Sequence, residues 1–354
     1  MTARSAQRED DNVVPKRDNT KRDNNNVAAK RDNNNVAAKR DNNNVAAKRD
    51  HGGGVDAARA RWGGARADWI DLSTGINPVP YPVANLPADS WTALPDSQAA
   101  TALEAAARIF WQVPDNASIL AAPGASSLIA RLPALWPKAA VAIPGPTYNE
   151  HAAAFAAHGW TMSENATSQV AVHPNNPDGR LWTSAEITAQ HAVIDESFCD
   201  ICPDASLIHL STQPNRIILK SFGKFWGLAG LRLGFAIGPA PLIDQLRIWL
   251  GPWPVSGPAL AIGAQALRDH DWATQTRARL ATDSAQLDTL MLAKGATLTG
   301  GTTLFRLYEV DDAAAWQARL AEQKIWTRIF PWSPTHLRLG LPAPAQWPRL
   351  EAAI

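Results

Sequence analysis

Ser221-Phe222-Gly223-Lys224-Phe225-Trp226-Gly227-Leu228-Ala229-Gly230-Leu231-Arg232-Leu233-Gly234 lies between two short apolar runs, residues 216–220 and 233–237, each the right length for a buried strand. Lysine is scarce around it: after residue 50 only Lys138, Lys220, Lys224, Lys294 and Lys324 occur. If the protein holds a carbonyl cofactor as a Schiff base, one of these five holds it. Aromatic and glycine neighbours would desolvate the Lys224 amine and lower its pKa, as a nucleophilic lysine requires. Arg232, eight residues on, offers a fixed cation whose planar fork suits a phosphate. Taken alone, Lys224 could equally be a surface lysine.

Outward from that stretch, further runs at residues 139–143, 169–173, 192–195 and 206–210 read as strands, with helical patterns at 126–136 and 148–158 between them. Such alternation implies an α/β fold with a mostly parallel sheet. After Pro241 the pattern changes. An Ala/Leu/Arg-rich stretch, 259–292, predicts long helices, and 296–354 mixes two or three short strands with two helices. The expected organisation is a tail over 1–50, a large domain over 51–250, and interdomain helices with a smaller α+β domain over 251–354.

Four more pieces surround Lys224. Val193-Ile194-Asp195-Glu196-Ser197-Phe198 puts an acid at the C-terminal end of an apolar strand, where α/β sheets place ligand sites; an aspartate there can pair with a protonated pyridine nitrogen, or merely cap the following turn. Pro174-Asn175-Asn176-Pro177-Asp178-Gly179 is a turn in which the Asn176 amide could donate to a ring oxygen. Pro123-Gly124-Ala125-Ser126-Ser127 precedes a helical run, whose free N–H groups can take a phosphate. In Pro146-Thr147-Tyr148, one of only three tyrosines opens a helix, where a flat ring can stack on a heterocycle.

These five pieces, in this order and spacing, resemble the fold-type I pyridoxal-phosphate enzymes of the aspartate aminotransferase superfamily, over nearly all of residues 51–354. The resemblance implies pyridoxal 5'-phosphate as cofactor, with Lys224 its Schiff-base lysine, Asp195 the partner of the pyridine nitrogen and Asn176 the donor to the ring 3-oxygen. Tyr148 then resembles the stacking aromatic, and Ala125, Ser126, Ser221 and Arg232 the phosphate cup. Arg338, in His336-Leu337-Arg338-Leu339-Gly340, resembles the arginine that grips a substrate carboxylate.

Within the superfamily, His51-Gly52-Gly53 followed by Asp71-Leu72-Ser73-Thr74-Gly75-Ile76-Asn77-Pro78 resembles the L-threonine-O-3-phosphate decarboxylases of cobalamin biosynthesis, the branch nearest the histidinol-phosphate aminotransferases. Phe198 points the same way, since many transaminases carry a tyrosine there. Leu94, in Leu94-Pro95-Asp96, stands where aminotransferases usually have a tyrosine that reaches the neighbouring subunit's phosphate. The implied reaction is decarboxylation of threonine phosphate to (R)-1-amino-2-propanol phosphate, with a histidinol-phosphate-type aminotransferase as the alternative and a non-catalytic regulator or scaffold as a third reading. A phosphorylated amino acid needs two anion sites. Arg338 and Arg328, on neighbouring strand segments, supply two forks; His51 and Asn77 are further candidate substrate contacts. Enzymes that this chain resembles are usually homodimers.

Composition bounds the remaining possibilities. The chain has 354 residues, 34 Lys plus Arg against 33 Asp plus Glu, and 45% hydrophobic residues, which excludes a wholly disordered chain and a basic coat for nucleic acid. The charge is uneven. Residues 1–50 hold twelve Lys/Arg and eight acids, and the unit Lys-Arg-Asp-Asn-Asn-Asn-Val-Ala-Ala recurs from Lys21, Lys30 and Lys39. With one Val per nine residues it has little to bury and is expected to be a disordered extension. No apolar run is long enough for a membrane span, the N-terminus is too polar for a secretory signal, and two cysteines, Cys199 and Cys202, fit a reducing cytoplasm. A lone C-x-x-C and scattered histidines predict no metal site. The 15 tryptophans, many beside proline, read as packing anchors of loops rather than a base-stacking platform.

Overall fold

In the computed structural model, residues 51–83 and 85–354 are described; the repeats of residues 1–50 lie outside them. The chain runs α1 (Val55–Trp62), β1 (Ile70–Asp71), α2 (Asp89–Thr92) and α3 (Ser97–Phe110) into a sheet-forming region. There follow β2 (Ser118–Ala122), α4 (Ala125–Ile129), β3 (Ala140–Ala142), α5 (Asn149–Ala157), β4 (Thr161–Met162), β5 (Ser168–Val172), β6 (His191–Asp195), β7 (Arg216–Ser221) and β8 (Gly234–Gly238). Helices α6 (Ala240–Leu250), α7 (Gly257–Ala266) and α8 (His270–Leu292) lead to β9 (Thr297–Thr302), β10 (Phe305–Glu309), α9 (Ala313–Glu322), β11 (Ile325–Trp326), β12 (Arg328–Phe330), β13 (Ser333–Gly340) and α10 (Trp347–Ala353).

Seven strands form the central sheet in the order β2-β8-β7-β6-β5-β3-β4. Only β8 runs against the rest. Helices cover both faces, so the strands read as unbroken apolar runs whose alternate residues enter different cores. Val193 and Ile217 pack with Leu128, Phe155 and Ile243 on one face. Ile194 and Ile218 pack with Leu103, Leu260 and Leu280 on the other.

The smaller sheet, β12-β13-β10-β9, is antiparallel and is joined by the two-stranded β1-β11 pair. The α/β architecture with a smaller C-terminal α+β portion thus agrees with the sequence. Two local expectations change, and a third is made specific. Residues 206–210 form no strand: Glu196 takes the Ser206 hydroxyl at 2.7 Å and the Leu207 N–H at 2.6 Å, and the segment coils into 3-10 turns with Ile208 and Leu210 buried. The helix expected over 126–136 stops at Ile129, and Pro133, which has no N–H to continue it, lies in a separate 3-10 turn. The long stretch 259–292 breaks after Ala266, and the Asp269 carboxylate caps a new helix by accepting from Trp272 N–H at 3.0 Å.

Candidate active site

The parallel strands end together. Register pairs Val172 with Asp195 and Asp195 with Leu219, so the turn holding Asn176, the carboxylate of Asp195, and Ser221 with its following loop gather at one edge of the sheet. Because β8 is antiparallel, its start lies at that same edge: Gly234 pairs with both Ser221 and Ala122, which brings Arg232 beside the Gly124-Ala125 turn. The result is a cavity of about 160 Å³ whose walls include Ala125, Ser126, Tyr148, Asn176, Asp195, Ser221, Lys224 and Arg232. All eight residues that the sequence assigns to a cofactor therefore meet in one place.

Two of them are shifted downward, the amine towards its neutral form and the carboxyl towards its ionised form. Burial pulls the Lys224 amine down to about 8, with Arg338 and Arg232 adding to the effect and Asp195 and Asp71 opposing it. Its Nζ donates to Thr74 O at 3.3 Å and lies 5.2 Å from the centre of the Phe198 ring. Burial alone would raise Asp195. His151 Nε2 at 2.8 Å, and the Ser197 N–H and hydroxyl at 3.0 and 2.5 Å, outweigh it and hold the carboxyl below its ordinary range. Asp195, 2% exposed, is thus a fixed anion facing a lysine that readily gives up its proton.

The opposite end suits a phosphate. Arg232 donates from Nη2 to Ser126 Oγ at 3.0 Å and from Nη1 to Ala229 O at 3.0 Å. Gly124, at φ +82°, turns the chain into α4, and a Cβ there would overlap the Arg232 guanidinium. Next to this cup, Ser221 Oγ accepts from Gly223 N–H at 3.2 Å.

The four substrate candidates are placed differently. Arg338, 3% exposed, donates from Nη1 to Asn176 Oδ1 and from Nη2 to Ser73 O, which leaves the Asn176 amide hydrogens for another acceptor. Arg328 is its cross-strand partner in register between β12 and β13. His51 Nε2 lies 2.9 Å from Glu150 Oε1, and its ring centre is 6.3 Å from that of Tyr148. The Asn77 side chain is committed to the scaffold: Nδ2 donates to Phe225 O at 2.8 Å, and Oδ1 accepts from Val79 N–H at 3.0 Å and from Arg279 at 2.5 Å.

Sequence reasoning passed over His151, Ser197 and Phe305. His151 follows Tyr148 by three residues at the start of α5, a spacing that puts two side chains on one helical face; their rings meet edge-on at 6.1 Å. Phe305 of β10 packs edge-on against Phe198 at 5.0 Å and lies 5.0 Å from the Arg338 guanidinium, a proximity no local pattern encodes.

The family described as aminotransferase class I and II matches residues 167–353. A threonine-phosphate decarboxylase from Sinorhizobium sp is 42% identical over 311 residues, 82% of this chain and 92% of the relative. One from Pseudomonas aeruginosa is 39% identical over 325 residues, 86% of this chain and 96% of the relative. The chain belongs to the class I and II aminotransferase family. A histidinol-phosphate aminotransferase from Sinorhizobium meliloti, solved in complex with pyridoxal-5'-phosphate, shares the fold at a TM-score of 0.69 and 20% identity, over 84% of this chain and 92% of that one.

Pyridoxal 5'-phosphate is the cofactor of this family, and the residues present fit it. A buried anion, an amine of lowered pKa and an arginine–serine cup occupy one cavity, and Asn176 keeps two donors in hand. Among the described residues, His173, Glu196 and Cys199 are the one acidic, histidine or cysteine group close enough to hold a metal. Lys220 Nζ, 2.5 Å from Glu196, already fills it with positive charge, and both His173 ring nitrogens are bonded, to Ala205 O and Trp182 N–H.

Proposed function

We propose that this chain decarboxylates L-threonine O-3-phosphate to (R)-1-amino-2-propanol phosphate, a step of cobalamin biosynthesis, with pyridoxal 5'-phosphate as cofactor. The observation that carries the reading is the register pair of arginines, Arg328 and Arg338, in a chain whose relatives over more than nine-tenths of their length are threonine-phosphate decarboxylases. A substrate with a carboxylate and a phosphate needs two separate forks, and charge-assisted bonds of this kind contribute roughly 1.5–3 kcal/mol each.

Each residue then has a task. Lys224 would provide the covalent attachment, Asp195 would hold the ring nitrogen protonated, Tyr148 would lie against the ring and Asn176 would donate to its oxygen. Arg232, Ser126, Ser221 and the backbone of Ala125 take the phosphate. When bound, the cofactor supplies an electron sink for the bond that breaks at the substrate's Cα. Arg338 takes the substrate carboxylate; Arg328, aided by His51, takes the side-chain phosphate. Lys224 would also be the group to return a proton to Cα after CO2 has left.

The chain acts, in this reading, as a cytoplasmic homodimer. Large exposed apolar side chains support an interface: Trp91 of α2 and Leu94 just after it, Ile109 of α3 and Trp253 ahead of α7. No helix of the described residues is long and apolar enough to cross a membrane, and both cysteines are free thiols.

Incubating the holoenzyme with threonine phosphate, without any 2-oxo acid, tests the reaction: CO2 and aminopropanol phosphate are expected in equal amounts. If turnover instead requires an added 2-oxo acid, which is aminated as the substrate becomes a 2-oxo acid without loss of CO2, the chain belongs with the transaminases.

A further inference from the structure

Three successive carbonyls of the Lys224 loop are held by one segment of the N-terminal arm. Lys224 O accepts from Asn77 N–H at 3.1 Å and Trp226 O from Tyr81 N–H at 2.9 Å. Between them Phe225 O accepts from Asn77 Nδ2 at 2.8 Å. Asn77 is 2% exposed, so each of these bonds is made without competition from bulk water.

The far side of Asn77 leads to α8. Arg279 Nη2 donates to Asn77 Oδ1 at 2.5 Å, and Arg279 Nη1 donates to Asp283, one turn on, at 2.7 Å. The same helix supports the loop directly: Trp272 stacks on Trp226 at 5.3 Å and 13° and meets Phe225 edge-on at 5.5 Å. Tyr81, whose N–H holds Trp226, also reaches α8, with its hydroxyl 3.3 Å from Asp269.

We propose that Arg279 is a positioning residue for Lys224, acting through Asn77; this rests on the reading of Lys224 as the lysine that binds the cofactor. An asparagine amide has a donor end and an acceptor end, and a guanidinium can only donate. Arg279 therefore fixes Oδ1 towards α8 and Nδ2 towards Phe225 O. Without it, Oδ1 is left with the Val79 N–H alone, and the Asn77 amide holds Phe225 O, the carbonyl next to Lys224, less firmly. The Lys224 side chain donates a hydrogen bond to Thr74 O at 3.3 Å, so its place depends chiefly on the backbone that carries it.

The charges facing Lys224 make its proton affinity a sensitive reporter. Arg338 on β13 and Arg232 ahead of β8 disfavour its cationic form, and Asp195 at the end of β6 and Asp71 at the end of β1 favour it. A loosened loop admits water and moves the amine away from this fixed set, which relieves the desolvation that dominates.

The test compares the unchanged holoenzyme with Arg279→Met and Arg279→Lys. The absorbance of the lysine-bound cofactor is titrated with pH, which reads the proton on the same Lys224 nitrogen among the same fixed charges, and thermal unfolding is followed in parallel. The midpoint is expected to rise in Arg279→Met by about half to one pH unit, roughly a 3- to 10-fold change in proton affinity, and to return most of the way in Arg279→Lys. A midpoint that stays put in Arg279→Met while only the melting temperature falls overturns the proposal. Should Arg279→Met not fold, Asp283→Ala is read in the same way: it removes the acceptor of one arm of the guanidinium, an upward shift supports the role, and no shift overturns it. Failure of the underlying reading looks different, because the unchanged protein would then carry no cofactor that borohydride fixes to Lys224.

Discussion

Asp195 and Glu196 are consecutive in the chain and serve opposite faces of the central sheet. Strand alternation sends Asp195 towards α5, where His151 meets it, and Glu196 towards Lys220 on the other side. One strand end thus supplies both a chemical anion to the cavity and a structural anion to the core.

The chemical anion depends on His151. Burial raises the Asp195 pKa, and only its hydrogen bonds keep it low. In His151→Leu one of these is lost, worth roughly 1.5–3 kcal/mol for a charged acceptor, and the carboxyl rises towards its ordinary range or beyond. A carboxylate with a depressed folded pKa stabilises the fold above its unfolded value of about 3.9 and loses that contribution as pH falls through the folded pKa. The acid limb of cofactor retention should accordingly move to higher pH in His151→Leu, with about 10-fold weaker cofactor binding near neutrality. Spectrophotometric titration of bound cofactor checks both.

For Lys224 the slope has the same sign and falls in a more alkaline window. Its folded pKa is about 8, below the ordinary lysine value of 10.5. Between those two values the unfolded chain binds a proton that the folded chain has released, so stability rises with pH across that window. Covalent capture of the cofactor by the cofactor-free protein should climb through about pH 8 as the neutral amine accumulates. Lys224→Ala should bind cofactor without fixing it, and borohydride followed by mass analysis of the peptide distinguishes the two. It should also remove the upward slope of stability between about pH 8 and 10.

The phosphate cup allows a steric test. In Gly124→Ala the new methyl collides with the Arg232 guanidinium, and the residue is asked to hold a φ of +82°. Each effect costs about 1–2 kcal/mol, and the cheaper relief is to push Arg232 off Ser126. Cofactor affinity should fall by roughly 10- to 100-fold, with the loss reproduced by Arg232→Met and little added by combining the two. Equilibrium dialysis of the three variants reads this; full additivity would show that Gly124 acts elsewhere.

Much of this geometry was legible in the sequence because it is local. The Asp195 strand, the Asn176 turn and the Lys224 loop each announce themselves in fewer than ten residues, and alternation of strand and helix fixes that their ends converge. Residues 206–210 misled because Ile208 and Leu210 supply a strand's apolar period, whereas Glu196, ten residues upstream, decides where the backbone goes. The β2 strand was passed over because Ser118–Ala122 is short and alanine-rich, and only its pairing with β8 makes it an element. Asn77 was placed near the site but read as a substrate contact, since nothing in its Pro-bounded turn reveals Arg279, 202 residues away.

The structural anion carries the last prediction. Lys220 is 2% exposed with Nζ 2.5 Å from Glu196 and 4.0 Å from Asp200, whose carboxylate also accepts from the indoles of Trp111 and Trp226 at 2.8 and 2.9 Å. Burial disfavours the ammonium, yet Glu196 and Asp200 hold it charged, with its pKa above the ordinary value. Removing one partner of such a pair leaves the other buried and uncompensated, which typically costs about 3–5 kcal/mol. Glu196 retains its bonds from Ser206 and Leu207, so Lys220→Met should fall at the lower end of that range. The unfolding midpoint should drop by roughly 5–10 °C near neutral pH. Because an unpaired carboxylate can escape its burial by taking up a proton, the deficit should shrink as pH falls towards 5. Calorimetry of Lys220→Met at the two pH values checks this, and a deficit that does not depend on pH would mean that lost packing of the lysine stem, rather than the stranded charge, destabilises the variant.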